Sequence, residues 1–191
     1  MKLLLHACCG PCAMYPLDLL LSEGRDLDVF WNNPNIHPEF EYNRRLENLK
    51  LAADHFKVPL IKGDDECEEE YWLSKTYLEE YETRCDMCYD VRMSAIAKFA
   101  ADNGYDSYTT TLLVSPYQQH DKIALIAENK AKEYNTHFEY IDFRPGFRQG
   151  QDMARQIGLY RQKFCGCIFS LEESKFRDKI YRSFEQERGN N

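Results

Sequence analysis

The sequence predicts an open α/β domain, a parallel sheet between layers of helix, and three observations carry that expectation. Short apolar runs alternate with longer stretches of helical periodicity along most of the chain. A Cys/Gly/Pro turn follows the first apolar run at once, where open α/β folds place their chemistry. The 191 residues hold no internal repeat and no low-complexity linker, which fits one domain over residues 1–191. Strands joined by helices give a Rossmann-like open parallel sheet flanked by helices.

Taken in order, Lys2–Ala7 is an apolar strand and Tyr15–Gly24 the helix after the turn. Leu27–Asn32 is a second strand, closed by the turn-forming Asn32-Asn33-Pro34-Asn35. Pro38–Phe56 reads as a helix, with Phe40, Leu46, Leu49, Ala53 and Phe56 tracing its apolar face. Val58–Lys62 is a third strand. Residues 66–88 read as a helical insertion over the sheet edge, with Cys67–Tyr81 as its acidic helix. Cys88–Asn103 is a helix stopped by Gly104, and Ser107–Val114, rich in Thr, Tyr and Val, a strand. Asp121–Tyr134 is helical, His137–Phe143 a strand, and the remainder helix and polar tail.

Bulk properties narrow the function classes. A chain that is 43% hydrophobic buries a core without disulfides, so its eight cysteines need another role. The opening apolar run stops at His6, short of an export signal, and no stretch approaches the roughly 18 residues needed to cross a bilayer. A reducing, cytoplasmic setting is the expectation, and there grouped cysteines mean metal or redox chemistry. The net charge of −8 argues against a generic nucleic-acid coat. Yet residues 144–182 carry nine bases against four acids, enough local field to hold a polyanion. A solvated surface of helix-face ion pairs is the plainer reading of the same charges.

Seven cysteines fall in three motifs: His6-Ala7-Cys8-Cys9-Gly10-Pro11-Cys12, Arg84-Cys85-Asp86-Met87-Cys88 and Phe164-Cys165-Gly166-Cys167. A tetrahedral zinc or a [4Fe–4S] cluster takes four thiolates, leaving three over. Neighbouring side chains diverge from an extended backbone, so Cys8 and Cys9 are expected to serve different centres. The surplus points to a second metal centre or an open redox pair. A structural zinc site explains four of the seven, and a thioredoxin-type dithiol explains Cys85 and Cys88. Cys67 stands outside every motif and reads as a buried apolar residue.

The same residues resemble the QueH-type, cobalamin-independent epoxyqueuosine reductases. The likeness covers most of the chain: residues 6–12, Asn33–Pro38, Cys85–Cys88, Thr109–Gln118, Asp142–Arg144 and Tyr160–Cys167. It implies removal of an epoxide oxygen as water, with two electrons and two protons, from epoxyqueuosine at the wobble position of a tRNA anticodon. It also implies a [4Fe–4S] cluster and an external electron donor. On that basis Cys9, Cys85, Cys88 and Cys165 are assigned to the cluster, and Cys8, Cys12 and Cys167 to a second, mononuclear iron or zinc. Asp86, Tyr108, Tyr117, His120 and Asp142 are the candidate proton donors, each also explicable as a cap or core hydrogen bond. Asn33, Asn35 and His37 are expected near a base or ribose. Arg144, Arg148, Arg155, Arg161 and Lys163 are expected on phosphates, with Tyr117, Tyr160 and Phe164 as stacking faces. The rival of another class is a zinc-stabilised RNA-binding module without catalysis.

Overall fold

The structure, a computed structural model, describes residues 1–74 and 79–189. Four parallel strands, β1 (Lys2–His6), β2 (Asp26–Trp31), β3 (Leu60–Lys62) and β4 (Ser107–Thr110), lie in the order β3-β2-β1-β4. Leu3, Leu4 and Leu5 of β1 are fully buried, as a central parallel strand covered on both faces requires. Each contributes about 1.5–3 kcal/mol of burial. The strand order reverses between β1 and β4, so the segment leaving β1 opens into the crevice at the carboxyl end of the sheet. That segment is Cys8-Cys9.

The first helix begins at once. In α1 (Gly10–Ser22) Cys9 is the N-cap, its sulfur accepting the Cys12 N–H, and Pro11 supplies a preset helical φ. The helix expected over Tyr15–Gly24 therefore starts five residues earlier than its apolar pattern suggests. Gly10 is obligatory for packing, because a Cβ there would collide with the Asn48 carbonyl of α2 (Glu39–Phe56). Helix α1 packs against α2 and α6 (Phe147–Gln156), while α4 (Arg84–Asp102) packs against α5 (His120–Glu133), giving the two covering layers.

Other expectations shift. Among the described residues the acidic helix α3 covers Glu69–Ser74, residues 75–78 of the expected insertion lie outside the described residues, and Cys67 precedes α3 instead of lying within it. Strand β4 stops at Thr110 and Thr111–Val114 tightens into a 3₁₀ turn, because the Thr110 hydroxyl accepts the Leu112 N–H and caps it. Residues His137–Phe143 form a single bridge, Tyr108 to Phe138, and no strand. Helix α4 starts at Arg84, so Cys85 and Cys88 sit one turn apart on one helix. Two short helices, α7 (Ile168–Glu172) and α8 (Arg177–Gly189), complete the chain.

Candidate metal and substrate site

The three cysteine motifs converge on one cleft at the carboxyl end of the sheet. It has a volume of about 500 Å³ and is lined by Cys8, Cys12, Cys85, Cys165 and Cys167. The sulfurs of Cys8, Cys9 and Cys12 all lie within 4.8 Å of one another, those of Cys8 and Cys9 3.9 Å apart. The expectation that neighbours 8 and 9 diverge does not hold at this turn, where Cys9 stays extended as the N-cap and α1 begins directly after it at Gly10. On the far side, Cys88 and Cys167 pack with Trp72 and Met87, and Cys85, Cys165 and Cys167 line the same cleft. Residues 8, 9 and 12 form one close triad of sulfurs, and residues 85, 88, 165 and 167 are the other motif cysteines at the cleft.

Each group has its own amide donor. Gln162 Nε2 lies 2.9 Å from Cys9 Sγ and 3.3 Å from Cys12 Sγ. Gln118 Nε2 lies 3.4 Å from Cys165 Sγ, and Gln118 Oε1 accepts the Tyr89 hydroxyl at 2.7 Å. The Thr111 hydroxyl approaches Cys8 Sγ at 3.8 Å and accepts the Cys8 N–H. The thiol pKa values respond to this setting. Cys8 is pushed well down by the thiols of Cys12 and Cys9 turned toward it, with Arg92 adding to the effect. Burial, then the neighbouring thiols, pushes Cys9 up. Cys88 is pushed up to about 12 by burial against the pull of Arg92, and Cys85 is raised by burial and by Cys165 and Cys167. Three clustered soft sulfurs with one favoured as thiolate could hold a metal ion.

The third motif is held from α2 and from the loop after β2. Buried Arg45 pairs with Glu41 at 2.7 Å and donates to the Cys165 and Phe164 carbonyls at 2.8 and 3.1 Å. His37 donates its backbone N–H to the Gly166 carbonyl, and its Nδ1 accepts the Ile168 N–H. Gly166 has φ of 147°, a conformation side chains rarely adopt.

A family model described as "Epoxyqueuosine reductase QueH" matches residues 3–173. The chain belongs to the epoxyqueuosine reductase QueH family. It is 35% identical over 172 residues to the epoxyqueuosine reductase QueH of Dehalococcoides mccartyi, covering 90% of this chain and 93% of that one. It is 34% identical to that of Thermotoga maritima, covering 90% and 91%, and 32% identical to that of Acinetobacter baylyi, covering 94% and 87%. An epoxyqueuosine reductase is an oxidoreductase, and the family reaction reduces epoxyqueuosine to queuosine in tRNA. A solved structure, the zinc-inhibited form of the teicoplanin deacetylase Orf2, matches with a TM-score of 0.50 at 12% identity, over 82% of this chain and 83% of that one. At that identity the likeness concerns the α/β fold alone.

Within this QueH family member the remaining predicted residues divide sharply. Tyr117, 85% exposed and set edge-on against Phe147, lines the cleft, as do Lys163 and Phe164. Tyr108 is wholly buried and donates to the Ala127 carbonyl, which makes it a core hydrogen bond and no proton donor to the cleft. His120 is buried with Nε2 on the Ser115 carbonyl. Asp142 pairs with Arg144 at 2.7 Å. Thr83 caps α4 by accepting the Asp86 N–H, and the Asp86 carboxylate accepts the Thr83 hydroxyl and pairs with Lys122 at 2.6 Å. Burial acts to raise the Asp86 pKa, but the bonds from Lys122 and Thr83 carry it below the usual carboxylate value.

Asn33, Asn35 and His37 are buried, which keeps them off the surface a nucleotide would meet. Asn33 donates to the Ala7 carbonyl. Arg144 and Arg155 carry carboxylate partners, Arg161 leans on Gln151 of the cleft wall, and Arg148 is exposed on α6. Tyr160 donates to Glu41 and lies under Arg44. Sequence reasoning missed Arg92, Gln118, Gln151 and Gln162. Gln118 and Gln162 stand inside motifs already singled out; Arg92, one turn beyond Cys88 on α4, has the spacing that marks a helical neighbour.

Proposed function

We propose that the cleft reduces the epoxide of tRNA-borne epoxyqueuosine, with a [4Fe–4S] cluster on Cys85, Cys88, Cys165 and Cys167. A single iron or zinc ion is assigned to Cys8, Cys9 and Cys12. The observation that carries this reading is that both cysteine groups open on the same cavity, so one substrate can meet both. The donor sets fit: four soft sulfurs suit a cluster, and three leave a fourth metal position open. This division differs from the one expected from the sequence, which placed Cys9 with Cys85, Cys88 and Cys165, and Cys167 with Cys8 and Cys12.

The reaction consumes two electrons and two protons, breaks both epoxide carbon–oxygen bonds, forms the alkene and releases water. When bound, the two groups would supply single electrons and a Lewis acid for the epoxide oxygen. The chain supplies the rest. Gln118 and Gln162 orient the sulfurs through N–H···S contacts. Tyr117 and Phe147 at the rim offer an aromatic face to an unstacked base. Lys163, Arg161 and Arg148 serve the anticodon phosphates. The tRNA substrate fits a cytoplasmic enzyme fed by an external electron donor.

Anaerobically prepared protein tests the proposal. It should be brown, hold four cluster irons and four sulfides plus one further metal per chain, and convert epoxyqueuosine tRNA with a chemical reductant. Colourless protein holding only zinc, and binding tRNA without turnover, would make it an RNA-binding module instead.

A further inference from the structure

Among the described residues two arginines are essentially buried, and they are balanced in different ways. Arg45 has Glu41 at 2.7 Å. Arg92, 3% exposed, has no carboxylate within ion-pair distance among the described residues. Its Nη1 points at Cys88 Sγ at 3.6 Å, its Nε lies 3.4 Å from His6 Nε2, and its Nη2 has no partner. A histidine ring offers Arg92 no anion. His6 Nε2 also lies 3.4 Å from the Asn32 carbonyl, and Nδ1 lies 2.9 Å from Thr110 Oγ1.

Burying a guanidinium without an anion costs several kcal/mol. The one sulfur in contact with Arg92 is Cys88 Sγ, which carries negative charge once it ligates a metal. Arg92 also lines the cleft that Cys8, Cys12, Cys85, Cys165 and Cys167 share. We propose that Arg92 is the internal counter-charge of the metal centre, a positioning residue that lies against Cys88 in the shared cleft and raises the reduction potential of the cluster. The inference rests on the iron–sulfur reading above. Each electron entering the cluster adds negative charge, which a fixed cation a few ångströms away stabilises. Net charge and hydrogen bonds to sulfur are what set cluster potentials. Nη2 is shielded from solvent, which separates this role from phosphate binding at the rim.

The test uses full-length, anaerobically reconstituted protein as wild type, Arg92→Gln, Arg92→Met and Arg92→Lys. Iron and sulfide are counted, and the midpoint potential is read from the electron paramagnetic resonance signal of the reduced cluster. Circular dichroism of the metal-free forms reports folding. The two neutral variants should shift to lower potential, or fail to hold the cluster, while Arg92→Lys returns toward wild type. Equal potentials with four irons in all forms would overturn the proposal, as would a tRNA-binding defect in the neutral variants without a change in potential. Failure of both neutral variants to fold without metal would also overturn it, because Arg92 would then serve the fold and not the metal. A wild-type sample without a cluster would show that the iron–sulfur reading itself had failed.

Discussion

Arg45 Nη1 reaches the Cys165 carbonyl at 2.8 Å, joining the middle of α2 to a motif 120 residues away. The same guanidinium pairs with Glu41, both side chains essentially buried. Removing it leaves a buried carboxylate without its partner and frees the Phe164–Cys165 backbone. Arg45→Met should therefore cost about 3–5 kcal/mol of stability. It should also lower cluster occupancy, although residue 45 touches no sulfur. Urea unfolding and iron content measured on the same samples check both effects. Unchanged iron content in a destabilised variant would show that motif three keeps its shape without α2.

The aromatic rim makes a separable prediction. Tyr117 is highly exposed beside Phe147, with no buried role to lose. Tyr117→Ala should leave stability and iron content near wild type. It should weaken tRNA binding by the value of one base stack, about 1–3 kcal/mol, or roughly 5- to 150-fold in Kd. Titration with substrate tRNA reads this directly, and Tyr117→Phe should keep most of the affinity.

Phosphate binding is tested by salt. Arg161→Ala with Lys163→Ala should flatten the salt dependence of tRNA binding by roughly one unit of log–log slope for each phosphate no longer neutralised. Arg144→Ala and Arg155→Ala should do less, since each cation already faces an aspartate. A larger effect from the second pair would move the RNA face toward the loop at 142–144 and the end of α6.

Much of this was legible in the sequence because local patterns coincide with global ones. Leu3–Leu5 could only be a buried strand, and Cys9-Gly10-Pro11 forms a cap as well as a turn. What was missed depended on contacts between distant segments. Tyr108 reads as a site residue because it sits in a motif, yet β4 turns its ring into the core, where it reaches Ala127. Asn33 and His37 read as substrate contacts because polar residues cluster there. Their partners, the Ala7 carbonyl and the Ile168 amide, lie 26 and 131 residues away. The close approach of the Cys8 and Cys9 sulfurs turns on one local point, the helix starting at Gly10 directly after them, which alternation along a strand does not anticipate.

His37 predicts a pH dependence. Burial lowers its pKa to about 4, only partly offset by its bond to the Pro34 carbonyl. An unfolded histidine titrates near 6.5, so on acidification the unfolded chain takes up the proton first. Stability from this group is complete above about pH 6.5 and is lost as pH falls toward 4, by on the order of 3 kcal/mol. His37→Asn keeps an acceptor for the Ile168 amide and should reduce that loss. Urea midpoints of both forms at pH 7.5 and pH 5 give the comparison; parallel shifts would remove His37 as a source of acid sensitivity.

The two divisions of the seven cysteines differ most simply at Cys9. Assigned to the cluster, Cys9 is one of four essential ligands, and Cys9→Ala should bleach the protein as completely as Cys85→Ala or Cys88→Ala. Grouped with Cys8 and Cys12, as the mutual 4.8 Å spacing of their sulfurs favours, it belongs to the other metal. Cys9→Ala should then keep the brown colour and four irons while losing the additional metal and epoxide reduction, and Cys12→Ala should behave the same way. Cys9 also caps α1, so its loss should cost about 1 kcal/mol. Cys9→Ser is therefore the fairer variant, since its hydroxyl still caps the helix but binds a soft metal poorly. Cys67→Ala serves as the control, because that thiol turns to the Ile36 carbonyl and away from both groups. A colourless Cys9→Ser protein that is folded, beside a brown Cys167→Ser protein, would restore the division drawn from the sequence.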